Sequence, residues 1–126
     1  MSIQNKNKLR LGIVGFGKIV EEIYYPALLR NEAFEIVGAA DISGERIVNL
    51  KKVFPHLQVY SNYRNLFSSC ALDAVLIVTP PYAHAEVIDG ANKAGVHALC
   101  EKPIVAREEE LNMINALIQK QTAVIF

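Results

Sequence analysis

The sequence has no tryptophan and only two cysteines, Cys70 and Cys100, among 126 residues. Two thiols in or beside apolar segments do not make the disulfide framework of a small secreted domain. Long hydrophobic runs are missing as well. The longest unbroken one, Ala74 to Val78, falls far short of the ~20 residues a membrane-spanning helix needs. The opening residues Met1 to Lys8 carry lysines with no apolar stretch behind them, so they do not read as a secretory signal. Charge of one sign is not in excess: 13 basic side chains face 13 acidic ones. This balance gives no reason to expect nucleic acid or an anionic membrane as partner. No Gly-x-Ser-x-Gly elbow and no Walker lysine occur, so acyl transfer and P-loop chemistry find no support. No Cys/His or carboxylate spacing suggests a metal site. The expectation is a soluble, cytoplasmic chain in a reducing setting.

Hydrophobic residues make up 52% of the chain. That is enough for one domain with a real core and too little for two. The organising stretch is Leu9 to Val20. Leu9–Val14 is apolar and branched, the pattern of a strand buried on both faces of a parallel sheet. Gly15 and Gly17 follow at once, and Lys18 opens a helix with Glu21 and Glu22 near its positive end. Strand, glycine turn and helix open a dinucleotide-binding unit. The first glycine permits the tight turn, and the second lets backbone approach a pyrophosphate at the helix start. Val20 stands at the third motif position, where Gly or Ala is the rule, which bears on helix–sheet distance more than on the phosphate site. The plainer reading of these residues is a tight turn without a ligand.

Farther along, the helix from Lys18 is expected to stop or kink at Pro26. Phe34–Asp41 reads as a second strand ending on an acid, 21 residues beyond Val20. A carboxylate there is suited to the adenosine ribose hydroxyls. It is also suited to capping the next helix, a role Ser43 could fill. Gly44–Phe54 is a helix with Ile47, Leu50 and Phe54 on one face, ended by Pro55. Leu57–Tyr60 is a short strand near the sheet edge, and Asn62–Ser69 a brief helix with Leu66 and Phe67 facing in. Ala74–Val78, the most apolar strand, belongs near the centre. Thr79-Pro80-Pro81 stops it in a rigid turn at the carboxyl edge, where ligands bind in open α/β sheets. Tyr82–Ala94 is a helix with Ala83, Val87, Ala91 and Ala94 on one face, closed by Gly95. Val96–Cys100 is a strand running into Glu101-Lys102-Pro103. Glu108, Glu109 and Glu110 open a last helix with Leu111, Ile114, Leu117 and Ile118 facing inward. Thr122–Phe126 reads as a sixth strand. Alternating strands and helices give a doubly wound parallel α/β sheet, a Rossmann fold of strand order 3-2-1-4-5-6.

Gly-Phe-Gly-Lys-Ile at 15–19, Val-Thr-Pro-Pro-Tyr-Ala-His at 78–84 and Ala-Gly-Val-His-Ala-Leu-Cys-Glu-Lys-Pro at 94–103 resemble the glucose–fructose oxidoreductase/inositol dehydrogenase/MocA family. The likeness covers nearly the whole chain in the family's order. It implies that residues 1–126 are an NAD(P)-binding domain, followed in family members by an α+β domain that binds substrate and forms the oligomer interface. That second domain lies outside this chain, and a homo-oligomer is one expected assembly. The implied reaction moves hydride between NAD, with NADP as the alternative, and a sugar, cyclitol or similar alcohol.

By motif position the resemblance makes Lys102 the catalytic lysine beside the nicotinamide. A cation there stabilises the oxyanion that develops as a hydroxyl gives up hydride and proton. The plainer role for Lys102 is a solvated loop lysine paired with Glu101. The cofactor set implied is Gly15, Phe16, Gly17, Lys18, Ile19, Asp41, Thr79, Pro80, Pro81, His84, Glu101 and Lys102. His84 stands equally well as a contact to the nicotinamide end or to the proline turn. His56 and His97 read as structural. Asp41, with no arginine immediately after it and Arg46 the next basic residue, favours NAD over NADP. A proline directly after a functional lysine suggests a cis Lys102–Pro103 bond. Two other readings are a non-catalytic NAD(P)-sensing module, which would not need Lys102, and a methyltransferase, which leaves Glu101-Lys102-Pro103 unexplained.

Overall fold

A computed structural model of the chain describes residues 8–120. The expected strand Thr122–Phe126 lies outside the described residues. The five strands β1 (Leu9–Val14), β2 (Phe34–Ala40), β3 (Gln58–Tyr60), β4 (Ala74–Ile77) and β5 (His97–Cys100) form one sheet in the order β3-β2-β1-β4-β5. Every pairing is parallel. This is the Rossmann order over the described strands, with β3 at the edge and β4 interior, as the apolar patterns imply.

The strands alternate their side chains between two cores. On one face Ile13, Ala39 and Leu76 pack with Phe16, Val20, Tyr25, Leu50 and Leu57. On the other, Val14, Ala40, Val75, Ile77, Ala98 and Cys100 pack with Leu66, Ile88, Ala91 and Ile114. The helices α1 (Tyr25–Leu29) and α2 (Gly44–Val53) cover the first face. The helices α3 (Tyr63–Ser69), α4 (His84–Lys93) and α5 (Glu108–Lys120) cover the second. Burial on both faces explains why β1 and β4 read as continuous apolar runs.

Local structure departs from expectation in three places. The first helix is not stopped by Pro26. It passes through a π-helical turn, Val20–Tyr24, into α1, with Pro26 in the first turn of α1. Tyr25 N–H reaches back to the Val20 carbonyl, and Pro26 has no N–H to satisfy, so the proline sits where its missing donor costs least. The π turn begins at the residue that is larger than the fingerprint's Gly or Ala, and Val20 is fully buried. The helix expected from Tyr82 begins as a 3-10 turn, Pro81–Ala83, and becomes α4 only at His84. Ala85 and Ile88 join Val87 and Ala91 in the core, while Ala94 is exposed at the helix end. In α5, Ile114 is buried and Leu117 half-buried, but Leu111 and Ile118 are exposed. A stripe of four apolar residues was expected to face inward, and the described fold covers only its middle.

Gly95 caps α4 in the left-handed region at φ 71°, as a residue without a Cβ does readily. Among the described residues no helix is long and apolar enough to cross a membrane.

Candidate functional site

Register brings the strand ends into one row. Val14 pairs with Ala40 and with Ile77, Ala40 with Tyr60, and Ile77 with Cys100. The next residue of four strands extends the ladder by one bond. Gly15 N–H donates to Ala40 O at 2.8 Å, Asp41 N–H to Tyr60 O at 3.0 Å, Val78 N–H to Val14 O at 2.8 Å, and Glu101 N–H to Ile77 O at 2.9 Å. Glycine turn, acid, proline turn and Glu101-Lys102 therefore leave the sheet along a single edge, the carboxyl edge where open α/β sheets take ligands.

A cleft of about 1070 Å³ opens on this edge. Gly15, Gly17, Asp41, Thr79 and Pro80 line it, together with Ile42, Arg46 and Tyr82. Its floor is a close approach of two turns. Gly15 has φ 87°, and a Cβ there would lie 2.8 Å from Thr79 N and from Val78 C and O. Only glycine avoids both the strained dihedral and the clash. Gly17 differs: an added Cβ would meet nothing nearer than the Arg46 guanidinium at 3.8 Å. Gly15 is thus required by the fold, whereas a Cβ at Gly17 would make only ordinary contact. Thr79 adds a hydroxyl whose oxygen is buried without a hydrogen-bond partner. A buried polar atom left unpaired in the free chain points to a partner that arrives with a ligand.

Asp41 is buried, with 5% of its surface exposed. Its Oδ2 accepts from Phe16 N–H at 2.8 Å and its Oδ1 from Ser43 N–H at 2.9 Å. The carboxylate thus ties the glycine turn to the loop after β2. It does not cap α2; Ser43 does, its Oγ accepting from Arg46 N–H at 3.3 Å. Arg46 Nη1 lies 3.4 Å from Asp41 Oδ2. Along the chain Arg46 is simply the next basic residue after Asp41. The first turn of α2 carries it back over the acid.

The other expected residues fall into three groups. Phe16 contributes no side chain to the cleft. It is buried against Tyr25 and Phe54, with ring centroids 5.4 and 5.7 Å away. Its N–H is engaged by Asp41. Lys18 and Ile19 are exposed at the helix start, and Lys18 lines a smaller hollow beside the cleft. His84, Pro81, Glu101 and Lys102 lie away from the cleft lining, toward the β5 side.

His84 is almost fully buried. Its Nε2 is 2.7 Å from Thr79 O and its Nδ1 is 2.8 Å from Pro103 O. The ring thus bridges the proline turn to the segment after β5. The Lys102–Pro103 bond is cis, as the position of the proline suggests. Lys102 is exposed, and its N–H donates to Glu101 Oε1 at 3.2 Å. The hydroxyl of Tyr24 donates to Glu101 Oε2. That bond, with the Lys102 N–H, holds the Glu101 carboxyl below its ordinary range. The same bond raises Tyr24, since the phenol is kept as the donor. No sequence pattern marks Tyr24; it meets Glu101 only because the helix after β1 passes the end of β5. Burial pushes the Cys100 thiol up to about 12, with the Glu101 carboxylate adding to the effect.

Residues 9–126 match the family model for the oxidoreductase family with an NAD-binding Rossmann fold, Gfo/Idh/MocA. The chain belongs to that family. It is 35% identical over 130 residues to YfiI, an oxidoreductase of Bacillus subtilis (strain 168), covering 93% of this chain and 33% of that protein. It is 32% identical over 96 residues to galactose 1-dehydrogenase of Pseudomonas fluorescens, covering 75% and 29%. Among solved structures, a 3-ketoreductase from Actinomadura kijaniata in complex with TDP-benzene and NADP superposes with TM-score 0.81 at 27% identity, covering 94% of this chain and 38% of that one. The chain spans about a third of the length of these relatives.

The cleft fits the family's cofactor. Gly15 and Gly17 form a cradle that side chains would fill, and the orphaned Thr79 hydroxyl sits on its floor. Among the described residues no group of His, Cys, Asp or Glu is arranged to hold a metal ion.

Proposed function

We propose that the cleft on the carboxyl edge binds a nicotinamide dinucleotide, and that the chain is the cofactor domain of an enzyme moving hydride between that cofactor and a sugar, cyclitol or similar alcohol. The observation that carries this reading is the pairing of Gly15, closed against Thr79, with Gly17, which lines the cleft and has nothing nearer to its Cβ position than the Arg46 guanidinium at 3.8 Å. Backbone at Gly17 is then free to approach a pyrophosphate, and the first N–H groups of the following helix have no intrahelical partner and point the same way. Asp41 offers its remaining lone pairs to the adenosine ribose. The Thr79 hydroxyl and the Pro80-Pro81 turn border the middle of the dinucleotide. The cofactor, when bound, supplies the hydride acceptor.

In this reading Lys102 serves the nicotinamide end, where its ammonium stabilises negative charge developing on the substrate oxygen. Glu101 holds the backbone from which Lys102 projects, through its contact with Lys102 N–H. His84 fixes the same segment from below by its contact with Pro103 O. Groups that orient the sugar-like substrate are assigned to a further domain, in keeping with relatives about three times longer.

Gly17→Leu tests the reading. A Cβ there makes ordinary contact with the Arg46 guanidinium at 3.8 Å, and the melting temperature of the variant checks that it folds. Titration calorimetry should show dinucleotide binding abolished. Unchanged affinity would overturn the assignment of the cleft.

A further inference from the structure

Strand alternation divides the end of β5 between the two faces of the sheet. Ala98 and Cys100 enter the core beneath α4 and α5, so the next residue, Glu101, turns to the face covered by α1. There it meets Tyr24, whose hydroxyl donates to Glu101 Oε2. Tyr24 closes the π turn Val20–Tyr24. Adjacent helical residues differ in direction by about 100°. With Tyr25 buried against Phe16 and Phe54, Tyr24 is left half-buried and reaches the carboxyl edge at Glu101. Single π turns recur at functional sites, and this one delivers a phenol to the residue beside Lys102.

Lys102 is thereby bracketed. The residue before it is tied through Tyr24 to the helix after the glycine turn. The residue after it is tied to the start of α4, where His84 Nδ1 lies 2.8 Å from Pro103 O. The two ties come from opposite faces of the sheet. They hold a stretch, 101–107, that has no helix or strand of its own. Both oxygens of Glu101 are engaged, Oε2 by Tyr24 and Oε1 by Lys102 N–H at 3.2 Å. Among the described residues the Lys102 ammonium makes no ion pair, although its charge helps keep the adjacent carboxyl ionised. An unheld carboxylate next to a lysine is its natural partner, and a paired ammonium has less to give a substrate oxygen.

We propose that Tyr24 is a positioning residue for the nicotinamide end of the site: its hydroxyl holds the Glu101 carboxylate off the Lys102 ammonium and ties the segment carrying Lys102 to the helix that receives the pyrophosphate. The proposal rests on the reading of the cleft as a dinucleotide site. Tyr24 acts through Glu101 and touches neither cofactor nor substrate. Its hydroxyl is a neutral donor, so it satisfies the carboxylate without adding a charge that would compete with the lysine. Without it, Oε2 is released and the neighbouring ammonium becomes its partner. The bracket then opens on the side of the first helix, while the tie to His84 remains.

Titration calorimetry with NAD and with ADP-ribose, the same ligand without its nicotinamide, tests this on the chain and on Tyr24→Phe, Glu101→Gln and the double variant. Tyr24→Phe keeps the ring, and its melting temperature checks the fold. It is expected to lower the NAD-to-ADP-ribose affinity ratio by about three- to tenfold, the effect of losing one hydrogen bond to a charged group. In the Glu101→Gln background, where no carboxylate needs holding, the same change should move the ratio by less than about twofold. In the unaltered chain, the Lys102 backbone amide should follow the titration of Glu101 by NMR. An unchanged ratio in Tyr24→Phe, an equal loss for both ligands, equal effects in the two backgrounds, or a Lys102 amide blind to Glu101 overturns the proposal while leaving the cleft a dinucleotide site. Binding of neither ligand by the unaltered chain overturns both.

Discussion

Thr79 keeps a buried hydroxyl with no hydrogen-bond partner among the described residues. An unpaired buried hydroxyl costs about 1–3 kcal/mol, so Thr79→Val, which keeps the shape, should raise or preserve the melting temperature of the free chain. The same change should weaken dinucleotide binding in calorimetry. A destabilised variant with full affinity would show that the hydroxyl has no part in the site. Cys100 makes a second residue-scale prediction. Its thiol is pushed up to about 12, while in the unfolded chain a cysteine ionises near about 8.5. The neutral form is therefore favoured by folding. That contribution is complete below the unfolded value and is lost as pH rises toward the folded one. Native Cys100 should react slowly with a thiolate-specific reagent at pH 8, and faster once urea opens the domain; rapid labelling of the native chain would contradict the burial.

Much at this scale was legible in the sequence. That Gly15, Gly17 and Asp41 meet at one edge of the sheet followed from type and spacing, since each stands just past the end of a strand. Arg46 and Tyr24 were not legible in the same way. Arg46 owes its place to the turn of α2 that folds it back on Asp41, and Tyr24 owes its partner to β5, far away in sequence. Phe16, expected at the cofactor, turns into the core because the left-handed Gly15 ends the strand's alternation and sends the next side chain to the face of Ile13, where it meets Tyr25 and Phe54.

Elements show where pattern succeeds and where it stops. Strand type and order followed from apolar runs because both faces of the sheet are covered. Helix starts and ends shifted wherever proline chemistry decides them. At Pro26 the helix continues through a π turn; at Pro81 it begins as a 3-10 turn. In α5 the apolar stripe was readable, but not which part of it meets α4. Ile114 is the α5 residue fully taken into the core. Ile114→Ala should therefore cost about 2–5 kcal/mol, measured by urea denaturation, whereas Leu111→Ala and Ile118→Ala should each cost well under about 1 kcal/mol. Equal costs at all three would mean that α5 is docked differently. The contact between Tyr24 and Glu101 joins the first helix to the last described strand. In Tyr24→Phe the carboxyl of Glu101 loses its leading hydrogen bond and should titrate closer to its ordinary value by NMR. Glu101 stabilises the folded chain above the unfolded carboxylate range and loses that effect as pH falls through its lowered value, so Tyr24→Phe should also flatten the acid limb of stability.

For the whole molecule, the sheet is covered unevenly. Leu99 shares a face with Leu76 yet is 52% exposed, because no described helix crosses behind β5 on that side. Together with Leu111 and Ile118 it leaves apolar surface in solvent, which favours self-association. We expect the chain to fold and bind cofactor, and to show concentration-dependent association by sedimentation. We expect no turnover with NAD or NADP and a panel of sugars and cyclitols, because positioning supplies up to about 7–11 kcal/mol of catalysis and Lys102 alone orients nothing. Turnover equal to that of a longer chain would contradict this division of labour.

The pairing of β1 with β4 has a consequence in time. Arg10 and Asp73 meet across 63 residues of chain, and Gly15 finds its wall in Val78 and Thr79 only when that pairing is made. Everything between must first be brought round, and closing so long a loop is entropically unfavourable before its contacts form. A chain emerging from its N-terminus can lay β2 and β3 beside β1 early, but the floor of the cleft waits for the second half of the sheet. In a refolding experiment, recovery of dinucleotide affinity should therefore trail recovery of helical signal, since the wall that meets the ligand exists only once that distant pairing is made.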